Sequence, residues 1–272
     1  MGDTTLWYEA SGAGHPLLQI HGSVIGHTNF ALASPHLAQS FRVIDFDQRG
    51  FGESDHPREG YSIERWADDA AGLLEALGIR SAHVHGTSMG GLVAIALAAR
   101  HPDVVSGLVL DCTLARFDVA GRINVRVREA LLSAFGWGEE FWRFLAIQDF
   151  SRSFVEGTDF PAALDLLRSS AIAQNVAEVA HGIAQALEVA DVVPLLPNVL
   201  APTLVMLGER DILTPYEMGV SGAGARVICE RIGGAQLATV PGVGHINLFE
   251  APELSASIIR EFLTPLAIAP AL

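Results

Sequence analysis

The chain is 272 residues long, half of them hydrophobic and 18% charged, which suffices for one large domain or a domain with an inserted unit and argues against wholesale disorder. Its formal net charge is −14, and no Lys/Arg run offsets it. That balance argues against a nucleic-acid partner, whose phosphates demand a basic surface, and against docking on anionic lipid.

Short apolar runs alternate with longer helical patterns, the rhythm of a mostly parallel sheet with crossover helices. Residues 17–20 form an apolar run that ends in His21-Gly22, and residues 41–46 form another that ends at Asp47. Residues 62–77 read as an amphipathic helix, with Ile63, Trp66, Ala70, Leu73, Leu74 and Leu77 at helical spacing and Gly78 as its stop. Residues 82–85 make a short strand that runs into Gly86. A strongly helical stretch follows over 89–100 and is closed by Pro102. Residues 104–110 are an apolar strand ending at Asp111.

From about residue 113 to 193 the alternation lapses. The text becomes helical and rich in aromatics such as Phe135, Trp137, Phe141, Trp142 and Phe150. The expected division is therefore a core of residues 1–112 and 194–272, with a helical insertion at 113–193. Strand patterns resume over 203–207 and 236–240, and a closing helix covers 254–263. The tail after Pro265 is expected to be loosely held. The predicted fold class is α/β, a mostly parallel central sheet flanked by helices.

Gly86-Thr87-Ser88-Met89-Gly90 matches G-x-S-x-G, with a strand before it and a long helix directly after it. A serine on that tight turn projects its hydroxyl at the carboxyl edge of the sheet, where open α/β sheets bind ligands. Small neighbours let the backbone pass closely. The alternative role for Ser88 is a simple helix cap.

A serine hydroxyl needs a base, and the base needs an orienting carboxylate. Three histidines follow Ser88, namely His101, His181 and His245. His101 closes the helix after the elbow, and His181 falls in the insertion. His245 sits in the loop after the last strand, at the same sheet edge as Ser88, and is the candidate base. Asp211, after the 203–207 strand, is the candidate acid, with Asp111 as the rival and Glu209 two residues earlier. Two backbone N–H groups should face a developing oxyanion. The candidates are those of Met89, after the nucleophile, and Ser23, in the early His21-Gly22-Ser23 loop, with Val24 as fallback.

These blocks resemble the α/β-hydrolase superfamily over nearly the whole chain. His21-Gly22 is similar to its oxyanion loop, and Asp47-Gln48-Arg49-Gly50-Phe51-Gly52-Glu53-Ser54 to its D-x-R-G-x-G-x-S turn. The resemblance implies a cap, formed between the strands ending at Asp111 and Leu207, over the site. Serine rather than aspartate at the elbow argues against epoxide-hydrolase and haloalkane-dehalogenase chemistry. The stretch from Gly244 to Glu253 looks similar to enol-lactonase-like members. Residues 21–30 faintly resemble the meta-cleavage-product hydrolases, which cut carbon–carbon bonds, but Val24-Ile25-Gly26 replaces their glycine-proline-glycine.

The expected activity is hydrolysis of a small, largely apolar ester or lactone, without metal or organic cofactor. The alternatives are C–C bond hydrolysis, perhydrolase or acyltransferase activity, and a ligand receptor that keeps the fold. Cys112 and Cys229 are expected as free thiols without metal-ligand spacing. His83 and His85 are expected to pack or hydrogen-bond within the sheet. Residues 1–5 lack a secretory pattern, and apolar runs such as 92–99 are too short to span a bilayer, so a cytoplasmic chain with no membrane partner is expected. Self-association into a homo-oligomer is compatible with the sequence.

Overall fold

The computed structural model describes residues 4–171 and 177–267. Its sheet has seven strands: β1 (Tyr8–Gly12), β2 (Pro16–Ile20), β3 (Arg42–Phe46), β4 (Ala82–Thr87), β5 (Val105–Asp111), β6 (Thr203–Gly208) and β7 (Gln236–Val240). The spatial order is β1-β3-β2-β4-β5-β6-β7. Only β1 runs antiparallel to its neighbour β3, and every other pairing is parallel.

The helices are α1 (Ser34–Leu37), α2 (Ile63–Ala76), α3 (Met89–Arg100), α4 (Val119–Phe135), α5 (Glu139–Asp149), α6 (Arg152–Val155), α7 (Phe160–Ala171), α8 (Ala177–Val189), α9 (Ala225–Arg231), α10 (Asn247–Glu250) and α11 (Pro252–Ala267). Helices α4 to α8 all fall between β5 and β6.

The central strands read as continuous apolar runs because both faces of the sheet are covered. Leu18, Ile44, Val84, Leu108 and Val205 pack with α2 and α3 on one side. Leu17, Val43, Val109 and Met206 pack with α1 and α11 on the other. A third apolar cluster joins Phe141, Trp142, Leu145 and Phe150 of the insertion to Ile25 and to Phe249 of α10.

Several boundaries differ from the sequence reading, and one strand has no counterpart in it. β4 continues past His85 to Thr87, because Thr87 still pairs with Asp111 on β5. The closing helix runs from Pro252 to Ala267, through Pro265. Of the tail expected to be loosely held after Pro265, residues 266–267 are helical instead, and residues 268–272 lie outside the described ones. β1 had no apolar signature to betray it, since all five of its residues are exposed on an edge strand.

Candidate active site

Ser88 stands between β4 and α3 with φ 55° and ψ −119°, a left-handed backbone that a non-glycine residue adopts only under constraint. The constraint comes from both sides. Ser88 N–H donates to Asp111 O at 2.9 Å, and Ser88 O accepts from Gly91 N–H at 2.9 Å and from the Thr113 hydroxyl at 2.6 Å. The turn also needs close passage of α3 over β2. A Cβ on Gly90 would lie 2.0 Å from Ile20 O.

His245 follows β7 on a short loop. Its Nε2 is 3.0 Å from Ser88 Oγ, and its Nδ1 is 2.9 Å from Asp211 Oδ2. Asp211 is fastened in turn by Leu213 N–H (2.8 Å), Thr214 N–H (3.0 Å) and the Thr214 hydroxyl (2.6 Å). The structure thus brings Ser88, His245 and Asp211 into one hydrogen-bonded chain.

The electrostatics follow from that chain. Burial alone would drive the His245 ring down, but the charge and hydrogen bond of Asp211, with help from Asp149, outweigh it and hold the imidazole above its ordinary value. Burial pushes Asp211 up, and the His245 charge and hydrogen bond, joined by the Thr214 bonds, overcome it and hold the carboxyl at about 2. The pair is poised as carboxylate beside a ring that accepts a proton readily.

The loop that carries His245 is gripped by the end of α5. His245 N–H and Ile246 N–H both donate to Asp149 O, at 2.8 and 3.1 Å. Glu250 Oε1 accepts from Gly244 N–H and from Ser151 N–H, each at 2.9 Å. A Cβ on Gly244 would come within 2.8 Å of Asp149 O and of the backbone at Phe150 and Ser151. Glycine at 244 is therefore the residue that lets the insertion sit directly on this loop.

Ser23 lies on the walls of three spaces around the site, two of which also include Ser88. Its N–H meets no acceptor among the described residues. Met89 opens α3, so its N–H has no preceding helical turn to bond. Val24 lines two of the same spaces. The early loop is braced by His21, whose Nε2 accepts from Gln48 N–H at 3.0 Å while its Nδ1 donates to Gly22 O at 2.7 Å. Burial holds that ring down, at about 4, so it stays neutral in this role.

The rival residues are occupied elsewhere. Asp111 Oδ1 accepts from Asn247 Nδ2 at 2.7 Å, and its Oδ2 is 3.4 Å from His85 Nε2. Glu209 accepts from Gly242 N–H at 2.7 Å on the exposed side of its loop. His101 bonds Asp68 at 2.9 Å, and His181 bonds Glu129. His83 and His85 are fully buried and hydrogen-bonded, to Ser106 and to Gln19. Both cysteines are free thiols. Cys112 Sγ, however, lies with Asp211 and His245 in a group of potential ligand atoms all within 4.8 Å of one another. Burial and the nearby carboxylates Asp111 and Asp211 push the Cys112 thiol well up, so it stays protonated. A protonated thiol beside an already paired Asp–His couple fits a hydrogen-bonded site better than a metal cage.

Residues 15–252 match the family model described as the alpha/beta hydrolase fold. The chain belongs to this family. This α/β hydrolase is 34% identical, over 268 residues, to a 2-hydroxymuconate semialdehyde hydrolase of Pseudomonas sp. (strain CF600), with 93% of this chain and 88% of that protein covered. Among solved structures it is similar to the enol-lactonase from Burkholderia xenovorans LB400, with a TM-score of 0.84, 26% identity and 96% and 97% of the two chains covered. It is equally similar to a thermophilic esterase from Thermogutta terrifontis, with a TM-score of 0.84, 30% identity and 96% and 94% coverage.

Sequence reasoning missed Thr214, Asn247, Asp149, Glu250 and Arg128. Thr214 lies three residues after Asp211 and Asn247 two after His245, so proximity to the candidate acid and base is the signal they carry in the sequence. Arg128 carried no signal, because one arginine on a long amphipathic helix reads as a solvated face.

Proposed function

We propose that this α/β hydrolase is a serine hydrolase that cleaves a carboxylic ester or lactone of a small, largely apolar substrate. The observation that carries the reading is the chain of hydrogen bonds from Ser88 Oγ through His245 to Asp211. In the proposed reaction Ser88 attacks the acyl carbon while His245 Nε2 takes the hydroxyl proton. Asp211 holds the ring in the tautomer that presents Nε2 and stabilises the imidazolium. The N–H groups of Ser23 and Met89 receive the oxyanion. His245 then protonates the leaving oxygen. A water activated by the same ring releases the acid and restores Ser88.

Apolar walls support a substrate with a hydrophobic body. Trp137 and Phe141 line one space beside the site, and Trp142 and Phe150 line another. The likeness to an enol-lactonase and to an esterase supports the bond type. A second reading, C–C bond hydrolysis with the same three residues, is favoured by the 34% identity to a 2-hydroxymuconate semialdehyde hydrolase.

The test is a screen of p-nitrophenyl esters, lactones and coloured ring-cleavage products, run with the wild type and with Ser88→Ala. Ester or lactone turnover that falls about a thousandfold or more in Ser88→Ala supports the first reading. Turnover of ring-cleavage products alone supports the second. Undiminished activity in Ser88→Ala refutes both.

A further inference from the structure

A polar row crosses the apolar layer between the sheet and helices α1 and α11. On that face side chains alternate along each strand, with Leu17 followed by Gln19, Val43 by Asp45 and Val109 by Asp111. Asp45, Gln19 and His85 stand side by side in register on β3, β2 and β4. Asp111 lies two residues beyond Val109, the register partner of His85 on β5. Ser34 of α1 and Asn247 of α10 complete the row, and all six side chains are buried. Amides and an imidazole cost free energy in such a layer unless each is bonded.

The bonds form one path with one direction. The Ser34 hydroxyl lies 2.7 Å from Asp45 Oδ2 and 2.8 Å from Gln19 Oε1. Gln19 Nε2 is 3.0 Å from His85 Nδ1, and His85 Nε2 is 3.4 Å from Asp111 Oδ2. Asn247 Nδ2 donates to the other Asp111 oxygen at 2.7 Å. Gln19 turns its oxygen to the Ser34 hydroxyl and its amide N–H to Nδ1 of the ring. Nδ1 therefore accepts, and the ring proton sits on Nε2, facing an Asp111 oxygen that only accepts. A satisfied chain of this kind is rigid. It ends on Asn247, two residues after His245. The insertion holds that loop from one side, where His245 N–H and Ile246 N–H donate to Asp149 O. The polar row holds it from the other, through Asp111.

We propose that His85 is a positioning residue for the base: its Nε2–H fixes the Asp111 carboxylate in the place where Asn247 anchors the loop of His245. This rests on the reading of His245 as the base of a serine hydrolase, and adds to it a support from within the sheet. His85 is wholly buried and acts through Asp111 and Asn247, not on the reacting atoms. Gln19 sets the tautomer that makes the support possible. The His85–Asp111 contact is the longest in the path, so the effect on turnover is expected to be moderate.

The test is a cycle of His85→Leu and Asn247→Ala, with kcat and KM measured on one ester, lactone or ring-cleavage product that the wild type turns over. His85→Leu alone should lower kcat by about threefold to tenfold and leave KM within about twofold. Once Asn247→Ala has cut the path, His85→Leu should cost less than about twofold more. His85→Gln, which can place an amide N–H where Nε2 stood, should regain most of the loss. A kcat unchanged in His85→Leu, or two losses that multiply in full, overturns the proposal. If His85→Leu fails to fold, Gln19→Met, which takes the donor from Nδ1, enters the same cycle under the same criterion. Ring-nitrogen NMR of the histidines adds a readout that needs no turnover. His85 should carry its proton on Nε2, and His85→Leu should displace the ring signals of His245. A His85 proton on Nδ1 alone, or His245 signals that stay put, refutes the positioning role even in an active hydrolase. Displaced His245 signals in a protein that turns over none of the substrates support the link to the loop and refute the hydrolase reading.

Discussion

Asn247 Nδ2 donates to Asp111 Oδ1 at 2.7 Å, and this bond occupies the carboxylate that rivals Asp211 for His245. Asn247 lies two residues beyond His245, so the same loop brings the base to Asp211 and its neighbour to Asp111. Asp111 is wholly buried and is reached from the other side by His85 Nε2 at 3.4 Å. The two acids therefore divide the work: one meets the imidazole, and the other anchors the loop that carries it.

That division predicts unequal mutants. Asp211→Asn should lower kcat for ester hydrolysis by about a thousandfold or more, because it disturbs the tautomer and the stabilised charge of His245. Asp111→Asn should cost no more than about tenfold in kcat and show mainly as lower thermal stability. Equal losses in kcat, measured on one ester, would show that the acid has been assigned to the wrong residue.

The raised His245 ring predicts the acid limb of the pH profile. The base must be neutral to take the serine proton, so kcat/KM rises as pH climbs through the ring's value. Because Asp211 holds that value up against burial, the limb should have its midpoint above the ordinary histidine value of about 6.5. In Asp211→Asn the residual activity should show the limb displaced to lower pH. A limb that stays put on that substitution contradicts the coupling.

Asp45 should impose its own pH dependence on stability. Burial pushes this carboxyl up to about 7; Glu9 adds to the rise, while the Ser34 bond and His27 oppose it. The Ser34 hydroxyl lies 2.7 Å from Asp45 Oδ2 and 2.8 Å from Gln19 Oε1. It has one proton for two acceptors, so a protonated Asp45 completes the set. The folded value exceeds the unfolded value of about 3.9, so the folded state holds a proton that the unfolded chain releases. Stability from this group is full below about 3.9 and falls as pH rises to about 7. Asp45→Asn should remove that slope and gain on the order of a few kcal/mol above pH about 7, read by urea unfolding across pH. Parallel stability curves for the two proteins would refute it.

Gly90→Ala tests the close passage of α3 over β2. The new methyl would meet Ile20 O at 2.0 Å and His21 O at 2.6 Å, both backbone atoms that cannot swing aside. The expected cost is about 3 kcal/mol or more in unfolding free energy, together with loss of activity from a displaced elbow. A variant as stable as the wild type by thermal unfolding would mean that the elbow has room to relax.

Much of the fold was legible because period and punctuation speak locally. Ile63, Trp66, Ala70, Leu73 and Leu74 announce α2 by spacing alone, and each of them is buried as that spacing requires. The buried strands β2, β3, β5 and β6 announce themselves as short apolar runs. β1 does not, because an exposed edge strand has no buried face to impose an alternation. Ser88 was readable because its strained turn demands small residues at fixed offsets.

The sequence by itself determined the α/β rhythm, the elbow at Ser88 and the order in which Asp211 and His245 follow it, since these rest on spacing along the chain. Only the tertiary structure decided which acid meets the imidazole. Asp111 ends β5 and Asp211 follows β6 at the same sheet edge, and the choice turns on where Thr214 and Asn247 direct their hydrogen bonds. It also decided that Arg128, one of several arginines on α4, faces the site rather than solvent. Contacts between residues far apart in the chain, such as Ser151 with Glu250 or Asp149 with His245, have no periodic trace in the sequence, because they form only when the insertion settles on the core.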